Sequence, residues 1–329
     1  MAAGERGLVA AWYRGAWWLW LLRPLEFLFR GIAAVRKGLY HSGVLSRTQP
    51  DKPLVVVGNI TVGGTGKTPV VLALIEYLQS QGLRPGLVSR GYGATRKVFP
   101  HTVSLNSSAA DCGDEALLIF QRTGCPCVVA PSRPDAVHQL LRDFTIDVIL
   151  SDDGLQHYAL GRDMEIAVLD ESRGVGNGFC LPAGPLREPV SRLRSVDHVL
   201  YRGSDDSEQG VRYTPECLVN LSTGEERPLN PENLSEKIYA VAGIGQPEQF
   251  FNSLSEMGFT VDDRVFDDHH AYRAEDLAPL SDKPIIMTEK DAVKCREFAT
   301  GNTWYLKISA VIPVQVQQSV AALATRSRE

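Results

Sequence analysis

A glycine-rich run directly after a buried strand constrains the fold of this chain more than any other feature of its 329 residues. Leu54-Val-Val-Val57 predicts the strand, and Thr61-Val-Gly-Gly-Thr-Gly-Lys-Thr68 follows it and opens a predicted helix over 67–80. Glycines allow backbone N–H groups to turn toward a phosphate, and the N terminus of the helix adds the positive end of its dipole. The pattern predicts a phosphate-binding loop in which Lys67 reaches the β- and γ-phosphates of ATP and Thr68 ligates Mg²⁺.

Thr61 is the one departure from the general motif, which begins with glycine. The order of strand, loop and helix outweighs this departure, because a chance match would lack that context. The predicted nucleotide-binding residues are Thr61, Val62, Gly63, Gly64, Thr65, Gly66, Lys67 and Thr68.

Short apolar strands alternate with helices along the rest of the chain. Strands are predicted at 86–89, 127–130, 147–151 and 165–170, a polar linker at 203–235, and a second α/β unit from 238 onward. Strands buried on both faces and joined by helices indicate a mostly parallel sheet in three layers. We expect an α/β fold: a P-loop NTPase-type domain, a second, smaller α/β domain and an N-terminal amphipathic helix. The expected divisions are 1–50 (membrane-associating segment), 51–202 (kinase-type domain), 203–235 (linker) and 236–329 (C-terminal domain).

The first 50 residues differ from the rest in charge. They carry seven Arg and Lys against two Glu, whereas the remaining residues carry 27 basic and 37 acidic side chains. The acidic body argues against nucleic-acid binding. On a helical projection Arg23, Glu26, Arg30 and Lys37 share one side, and most of the large apolar side chains lie opposite, although Leu19 falls on the polar side. Trp17, Trp18 and Trp20 near basic residues predict a helix that lies in the headgroup region of an anionic membrane, with packing on its own domain as the alternative.

Two adjacent carboxylates end a second predicted strand, Val148-Ile-Leu-Ser-Asp-Asp153. Ligands of open α/β sheets bind at the carboxyl ends of the strands. Asp152 and Asp153 are therefore predicted Mg²⁺ ligands, with a solvated turn as the alternative.

Three further polar clusters carry less information by themselves. Gly113-Asp-Glu115 precedes an apolar helix, so Asp114 has the plain interpretation of stabilising a helix start. Asp267-Asp-His-His270 places carboxylates beside imidazoles, and Thr288-Glu-Lys-Asp-Ala-Val-Lys294 follows a predicted strand. A surface location explains the two adjacent His equally well, and the default interpretation of 288–294 is a charged loop or helix.

Taken together and in this order, the motifs resemble those of the tetraacyldisaccharide 4′-kinases, the kinases of lipid A biosynthesis. Ser89-Arg-Gly-Tyr-Gly93 and Leu181-Pro-Ala-Gly-Pro-Leu-Arg-Glu-Pro189 add to the resemblance, which covers nearly the whole chain. The family's own loop begins with Thr or Ser, so Thr61 fits it. Ala116 and Asp267 depart from it, since the family is expected to have Pro at both positions.

The resemblance implies transfer of the γ-phosphoryl group of ATP to a hydroxyl of an acylated glucosamine disaccharide 1-phosphate. It implies a monotopic enzyme on the cytoplasmic face of a Gram-negative inner membrane, and it implies no protein partner. Asp114 would take or orient the hydroxyl proton, with His269 and the adjacent Asp268 as its partners; His270 is an alternative to His269. Arg187 and Glu188 would lie in the cleft near the substrate. The competing interpretation is a membrane-associated P-loop switch ATPase, against which Val62 counts because such proteins often have Lys there.

Overall fold

One mixed sheet of thirteen strands organises residues 3–326, the part of the chain that the computed structural model describes. Its order is β11-β10-β12-β13-β8-β7-β6-β1-β5-β2-β4-β3, with β9 paired to β8. The strands are β1 (Leu54–Gly58), β2 (Pro85–Ser89), β3 (His101–Thr102), β4 (Cys127–Val129), β5 (Val148–Asp152), β6 (Met164–Asp170), β7 (His198–Arg202), β8 (Gly210–Asn220), β9 (Glu226–Arg227), β10 (Lys237–Ala242), β11 (Thr260–Val265), β12 (Ile285–Thr288) and β13 (Thr303–Val311).

The α-helices pack on both sides of this sheet. They are α1 (Ala3–Arg14), α2 (Arg23–His41), α3 (Lys67–Ser80), α4 (Ala109–Cys112), α5 (Asp114–Thr123), α6 (Arg133–Asp143), α7 (Pro247–Glu256), α8 (Ala274–Leu277), α9 (Glu289–Ala292) and α10 (Val314–Arg326). Alternate residues of β1 belong to two separate apolar clusters, Val55 and Val57 to one and Leu54 and Val56 to the other. The sheet is therefore the middle of three layers, and the predicted α/β class is confirmed.

The central strand β1 pairs in parallel with β5 and β6. Val57 lies opposite Asp152, and Gly58 lies opposite Ala167. The carboxyl ends of β1, β5 and β6 therefore meet at one edge, where the chain turns into the loop 61–68 and the Asp152–Asp153 pair.

The segment 203–235 is not the linker that its polar composition predicts. It contains β8, which runs antiparallel to β13 and pairs in parallel with β7 through Tyr201↔Gly210 and Arg202↔Val211. The middle of β8 is exposed on one face, and a register shift opposite Lys307 and Ile308 accommodates Pro215. One-sided exposure and an irregular register explain why a strand here has a turn-like sequence. The sheet continues across the predicted boundary, and the division into domains stays a prediction.

The N-terminal helices bury the Glu26 carboxylate against the protein and leave many large apolar side chains in solvent. Glu26 is only 1% exposed; it pairs with Arg23 at 2.5 Å and accepts the backbone N–H of Cys180 at 3.1 Å. Leu19, on the same side, is buried with Trp12 against Val62 of the phosphate-binding loop. The side chains that point outward and are more than half exposed are Trp17, Trp20, Leu21, Leu25, Phe27, Leu28, Ile32 and Val35. Within residues 3–326, no helix is both long and apolar enough to cross a membrane.

Candidate active site

The loop between β1 and α3 has its carbonyl groups occupied by donors from distant elements. Gln246 Nε2 donates to the Gly64 carbonyl at 3.0 Å, and the Tyr213 hydroxyl donates to the Gly66 carbonyl. Asn59, buried beneath the loop, donates to Thr65 Oγ1 at 3.1 Å. These contacts hold one face of the loop to the protein. The Val62 N–H donates to the Pro185 carbonyl at 2.8 Å, so the N–H groups left for an anion are those of the glycine-rich part that follows.

Glycine is required at position 66 for two separate reasons. Its φ of +82° lies in the left-handed region, and a Cβ there would stand 2.1 Å from the Tyr213 hydroxyl. Lys67 begins α3 directly after this turn. The tight approach of β8 to the loop thus fixes where the Lys67 side chain starts.

Lys67 and Arg187 converge on one carboxylate, that of Asp153. Lys67 Nζ lies 3.4 Å from Asp153 Oδ1, and Arg187 Nη1 donates to Asp153 Oδ2 at 2.9 Å. Burial would raise the pKa of Asp153, but the two cations outweigh it and hold the pKa at about 2. Asp153 is one of two non-glycine residues with positive φ in the described chain; such backbone strain is common at functional sites.

Asp152, one residue earlier, has the opposite environment. It is 1% exposed, and its Oδ1 atom accepts no hydrogen bond from the described residues. Burial, together with the nearby Glu115 carboxylate, raises the pKa of Asp152 to about 7, although Lys67 opposes the shift. Buried Arg133 donates to the Asp152 backbone carbonyl and has two further nitrogens, Nε and Nη1, without a partner. An unpartnered buried carboxylate oxygen beside a phosphate-binding loop suits a hard cation such as Mg²⁺.

The fold brings Asp114 and His269 together across 155 residues of sequence. Asp114 begins α5 and is 4% exposed, and His269 Nδ1 lies 2.9 Å from its Oδ2 and 3.1 Å from its Oδ1. His269 has a φ of +59° and packs against the Tyr92 ring at 4.8 Å between centroids. The carboxylate is therefore aligned by an imidazole, with Nδ1 as the nitrogen that faces it.

Cations keep the Asp114 carboxylate ionised despite its burial. Burial would raise its pKa, but the hydrogen bond from His269 and the charges of Lys290 and Lys294 lower it below the ordinary value. Lys290 Nζ also lies 3.0 Å from Glu115 Oε1 and 4.0 Å from Asp268 Oδ1.

His270 points away from this pair. Its Nε2 lies 3.1 Å from Asp276 Oδ2, and its ring packs against Phe266 and Tyr272. The structure therefore places His269, and not His270, against Asp114. Asp268 lines the cleft, 3.8 Å from His269 Nε2.

Of the two predicted substrate residues, Arg187 pairs with Asp153, and Glu188 has its carboxylate engaged by neighbours. Glu188 accepts Gln156 Nε2 at 2.9 Å and the Tyr158 hydroxyl, and Arg192 Nε lies 3.4 Å away. A role for either residue toward substrate stays a prediction.

Many of these groups line one cleft of about 1440 Å³ that extends to the N-terminal helices; His269 is among them, and its partner Asp114 is buried behind it. Sequence reasoning missed several of its residues. Arg133 carried only a helix-start signal, and Lys290 lay in a motif that also suited a charged loop. Nothing in the sequence near Gln246, which holds the Gly64 carbonyl, marked it either. The cleft residues that matter most here are Gly64, Lys67, Arg133, Asp152, Asp153, Glu115, Asp268, His269 and Lys290.

A mostly parallel α/β sheet with a phosphate-binding loop, two carboxylates at its carboxyl edge and an Asp–His pair whose imidazole lines the same cleft defines a phosphoryl-transfer enzyme. A family model described as tetraacyldisaccharide-1-P 4′-kinase matches residues 18–327. The chain therefore belongs to the tetraacyldisaccharide-1-P 4′-kinase family.

Individual relatives agree with the family model. The chain is 48% identical over 314 residues to a tetraacyldisaccharide 4′-kinase of Pseudomonas aeruginosa, with 94% of each chain covered. It is 51% identical over 314 residues to the enzyme of that name from Azotobacter vinelandii, again with 94% of each covered. A crystal structure of the "apo" form of LpxK from Aquifex aeolicus in complex with ATP matches with a TM-score of 0.78 and 27% identity, over 94% of this chain and 99% of that chain.

Proposed function

We propose that this enzyme transfers the γ-phosphoryl group of ATP to the 4′-hydroxyl of a tetraacylated glucosamine disaccharide 1-phosphate, a step of lipid A biosynthesis. The observation that carries the proposal is the contact of buried Asp114 with His269, a residue that lines the same cleft as the phosphate-binding loop. A switch ATPase without a second substrate has no need for such a pair.

The residues divide between nucleotide and acceptor. Lys67 and the N–H groups of the glycine-rich part of 61–68 bind the β- and γ-phosphates, where they balance charge during transfer. Asp114 accepts or orients the proton of the 4′-hydroxyl, which is a poor nucleophile at neutral pH. His269 holds that carboxylate in place, and Asp268 flanks the imidazole. Lys67 lies 3.4 Å from Asp153, a contact longer than a hydrogen-bonded ion pair, and it would turn to the phosphates when ATP binds.

Mg²⁺ fits the donor set at the sheet edge. Thr68, Asp152 and Asp153 would hold it. Among their oxygens, Asp152 Oδ1 fits a cation best, because it is buried and accepts no hydrogen bond from the described residues. When bound, the ion neutralises charge on the β- and γ-phosphate oxygens.

A membrane surface is the proposed partner of the exposed apolar face on the N-terminal helices. The three Trp of 17–20 and the exposed side chains Leu21, Leu25 and Leu28 would enter the headgroup region. The lipid substrate would then reach the cleft along Ile32 and Phe29, which line it. The cytoplasmic face of a Gram-negative inner membrane is the proposed location, because ATP is available there.

A thin-layer assay with [γ-³²P]ATP and the lipid acceptor tests the proposal. Label should move to the lipid in the parent and not in Lys67→Ala, which lacks the phosphate-binding cation. Label that moves only to free phosphate would indicate the switch ATPase, and a parent without any transfer would refute the kinase assignment.

A further inference from the structure

Lys294 is the one cation near Asp114 whose own position is fixed by a fully buried acid. Its Nζ lies 2.8 Å from Asp291 Oδ1 and 3.8 Å from Asp114 Oδ2, and its side chain is 7% exposed. Asp291 is 0% exposed and follows β12 in the short helix α9. Lys294 therefore connects a rigid part of the second half of the sheet to the proposed catalytic carboxylate of the first half.

Asp291 has other partners that hold it without Lys294. Its Oδ2 accepts the Gly243 N–H at 2.9 Å and the Thr288 hydroxyl at 2.6 Å. The Lys294 ammonium group faces Asp114 as well, so the pair with Asp291 fixes a charge beside the cleft.

The same backbone that holds Asp291 also holds His269. Gly243 donates its N–H to Asp291 and accepts the His269 N–H at 3.2 Å. A Cβ at this position would stand 2.9 Å from the Tyr272 hydroxyl and 3.1 Å from Asp291 Oδ1, so the packing requires glycine. One residue thus sets the positions of both groups that contact Asp114 from the second half of the molecule.

The other charges around Asp114 come from four elements. Glu115 lies beside it on α5, and the Cys112 thiol on α4 stays neutral because burial raises its pKa to about 12. Asp268 and His269 belong to the loop after β11, and Lys290 lies on α9. Lys290 is shared between Glu115 and Asp268, whereas Lys294 faces only Asp291 and Asp114 among these acids.

We propose that Lys294 is a positioning residue of the phosphoryl transfer: anchored by Asp291, it keeps Asp114 as a carboxylate that faces His269. The proposal rests on the proposed function, because it presumes that an ionised Asp114 receives or orients the hydroxyl proton. Lys294 itself does not contact the reacting atoms.

The pH dependence of kcat/KM separates this role from simple structural support. In Lys294→Gln the amide can still donate to Asp291, but the charge beside Asp114 is gone. The acid limb of the profile should move up by about one pH unit, since an opposite charge within about 4 Å shifts a carboxyl pKa by that order. At pH values below the acid limb, kcat/KM should be about tenfold lower than that of the parent. At pH values above the limb it should stay close to that of the parent, and the affinity for ATP should not change.

Two further variants complete the comparison. Lys294→Arg keeps the charge and should restore the limb of the parent. Lys283→Met removes another ion-paired lysine of the same half, which binds Asp262 at 3.1 Å, and should leave the profile unmoved. If Lys294→Gln does not fold, Lys290→Gln provides the test, because it removes the neighbouring cation and should move the limb in the same direction.

The outcomes that overturn the inference are distinct from failure of the proposed function. An equal loss at every pH, with the limb in place, would show that Lys294 only supports the fold. A limb that moves as far in Lys283→Met would show a general charge effect. A parent that labels no lipid at any pH would instead refute the kinase assignment itself.

Discussion

At the scale of single residues, Asp152 and Asp153 show how far the fold can separate two adjacent carboxyl groups. Burial raises the pKa of Asp152 from 3.8 to about 7, whereas Lys67 and Arg187 overcome burial and lower that of Asp153 to about 2. A raised carboxyl pKa costs stability as the pH rises from about 4 to 7, because only the unfolded chain releases the proton there. A lowered pKa adds stability above about pH 4, which is lost as the pH falls toward 2.

The neighbours should therefore respond in opposite directions to the same substitution. Without Mg²⁺ and nucleotide, Asp152→Asn should be more stable than the parent at pH 8 and equally stable near pH 4. The gain in the free energy of unfolding at pH 8 should be about 1.4 kcal/mol for each unit of pKa shift that the substitution removes. Asp153→Asn should be less stable than the parent at pH 8. Urea unfolding at the two pH values measures both, and changes of the same sign would contradict the assigned charge states. Both variants should also lose activity, because both carboxylates are proposed Mg²⁺ ligands and such functional residues often trade stability for activity.

The paired residues Asp114 and His269 give a second prediction at this scale. Each change to Ala should lower kcat strongly, and the double variant should be little worse than the more damaging single one, because residues that act as a unit give non-additive losses. His270→Ala is the matched control and should stay near the parent, since His270 contacts Asp276 instead. Independent, multiplicative losses would mean that the two residues act separately.

At the scale of elements, the local patterns that predict strands and helices succeeded where a segment is buried on both faces or opens with a clear cap. β1, β5, β6 and α3 lie where the sequence predicts them, because uninterrupted apolar runs and the glycine loop determine them locally. β8 was missed, since its exposed face and its irregular register are properties of its pairing with β13. The partners of Arg133 and Lys294 were missed for a similar reason: contacts between charged side chains depend on segments far apart in sequence.

The missed strand matters to the site, because β8 carries Tyr213. Its hydroxyl donates to the Gly66 carbonyl, so Tyr213→Phe should raise the Kd for ATP about fivefold, the effect of one hydrogen bond of about 1 kcal/mol. Tyr305→Phe on the adjacent β13 is the control; Tyr305 lines a separate cavity of about 400 Å³ beside Arg122 and Glu289. Equilibrium binding of a fluorescent ATP analogue measures both, and an unchanged Kd for Tyr213→Phe would show that β8 does not support the loop.

At the scale of the whole molecule, the N-terminal helices link the proposed membrane surface to the phosphate-binding loop. Trp12 and Leu19 pack against Val62, and Glu26 accepts the backbone N–H of Cys180, so these side chains hold the helices to the protein. A segment that only covered its own domain would bury its apolar side instead. Many large apolar side chains of these helices are left in contact with water, and a large exposed apolar patch marks an interaction site.

Substitutions on that face test the membrane contact without disturbing the contacts beneath it. The combined variant Trp17→Gln, Leu21→Gln, Leu25→Gln and Leu28→Gln changes only side chains that are more than half exposed. Its cosedimentation with anionic vesicles should fall at least about a hundredfold, since each large apolar side chain removed from water contributes about 1.5–3 kcal/mol. Binding of ATP should not change, because Trp12, Leu19 and Glu26 still hold the helices to the loop. Leu105→Gln, at a side chain that is 88% exposed elsewhere, should leave cosedimentation as in the parent. Vesicle binding that survives the four changes would mean that another surface of the protein meets the lipid, and high salt would then show whether the basic residues of the first 50 positions supply it.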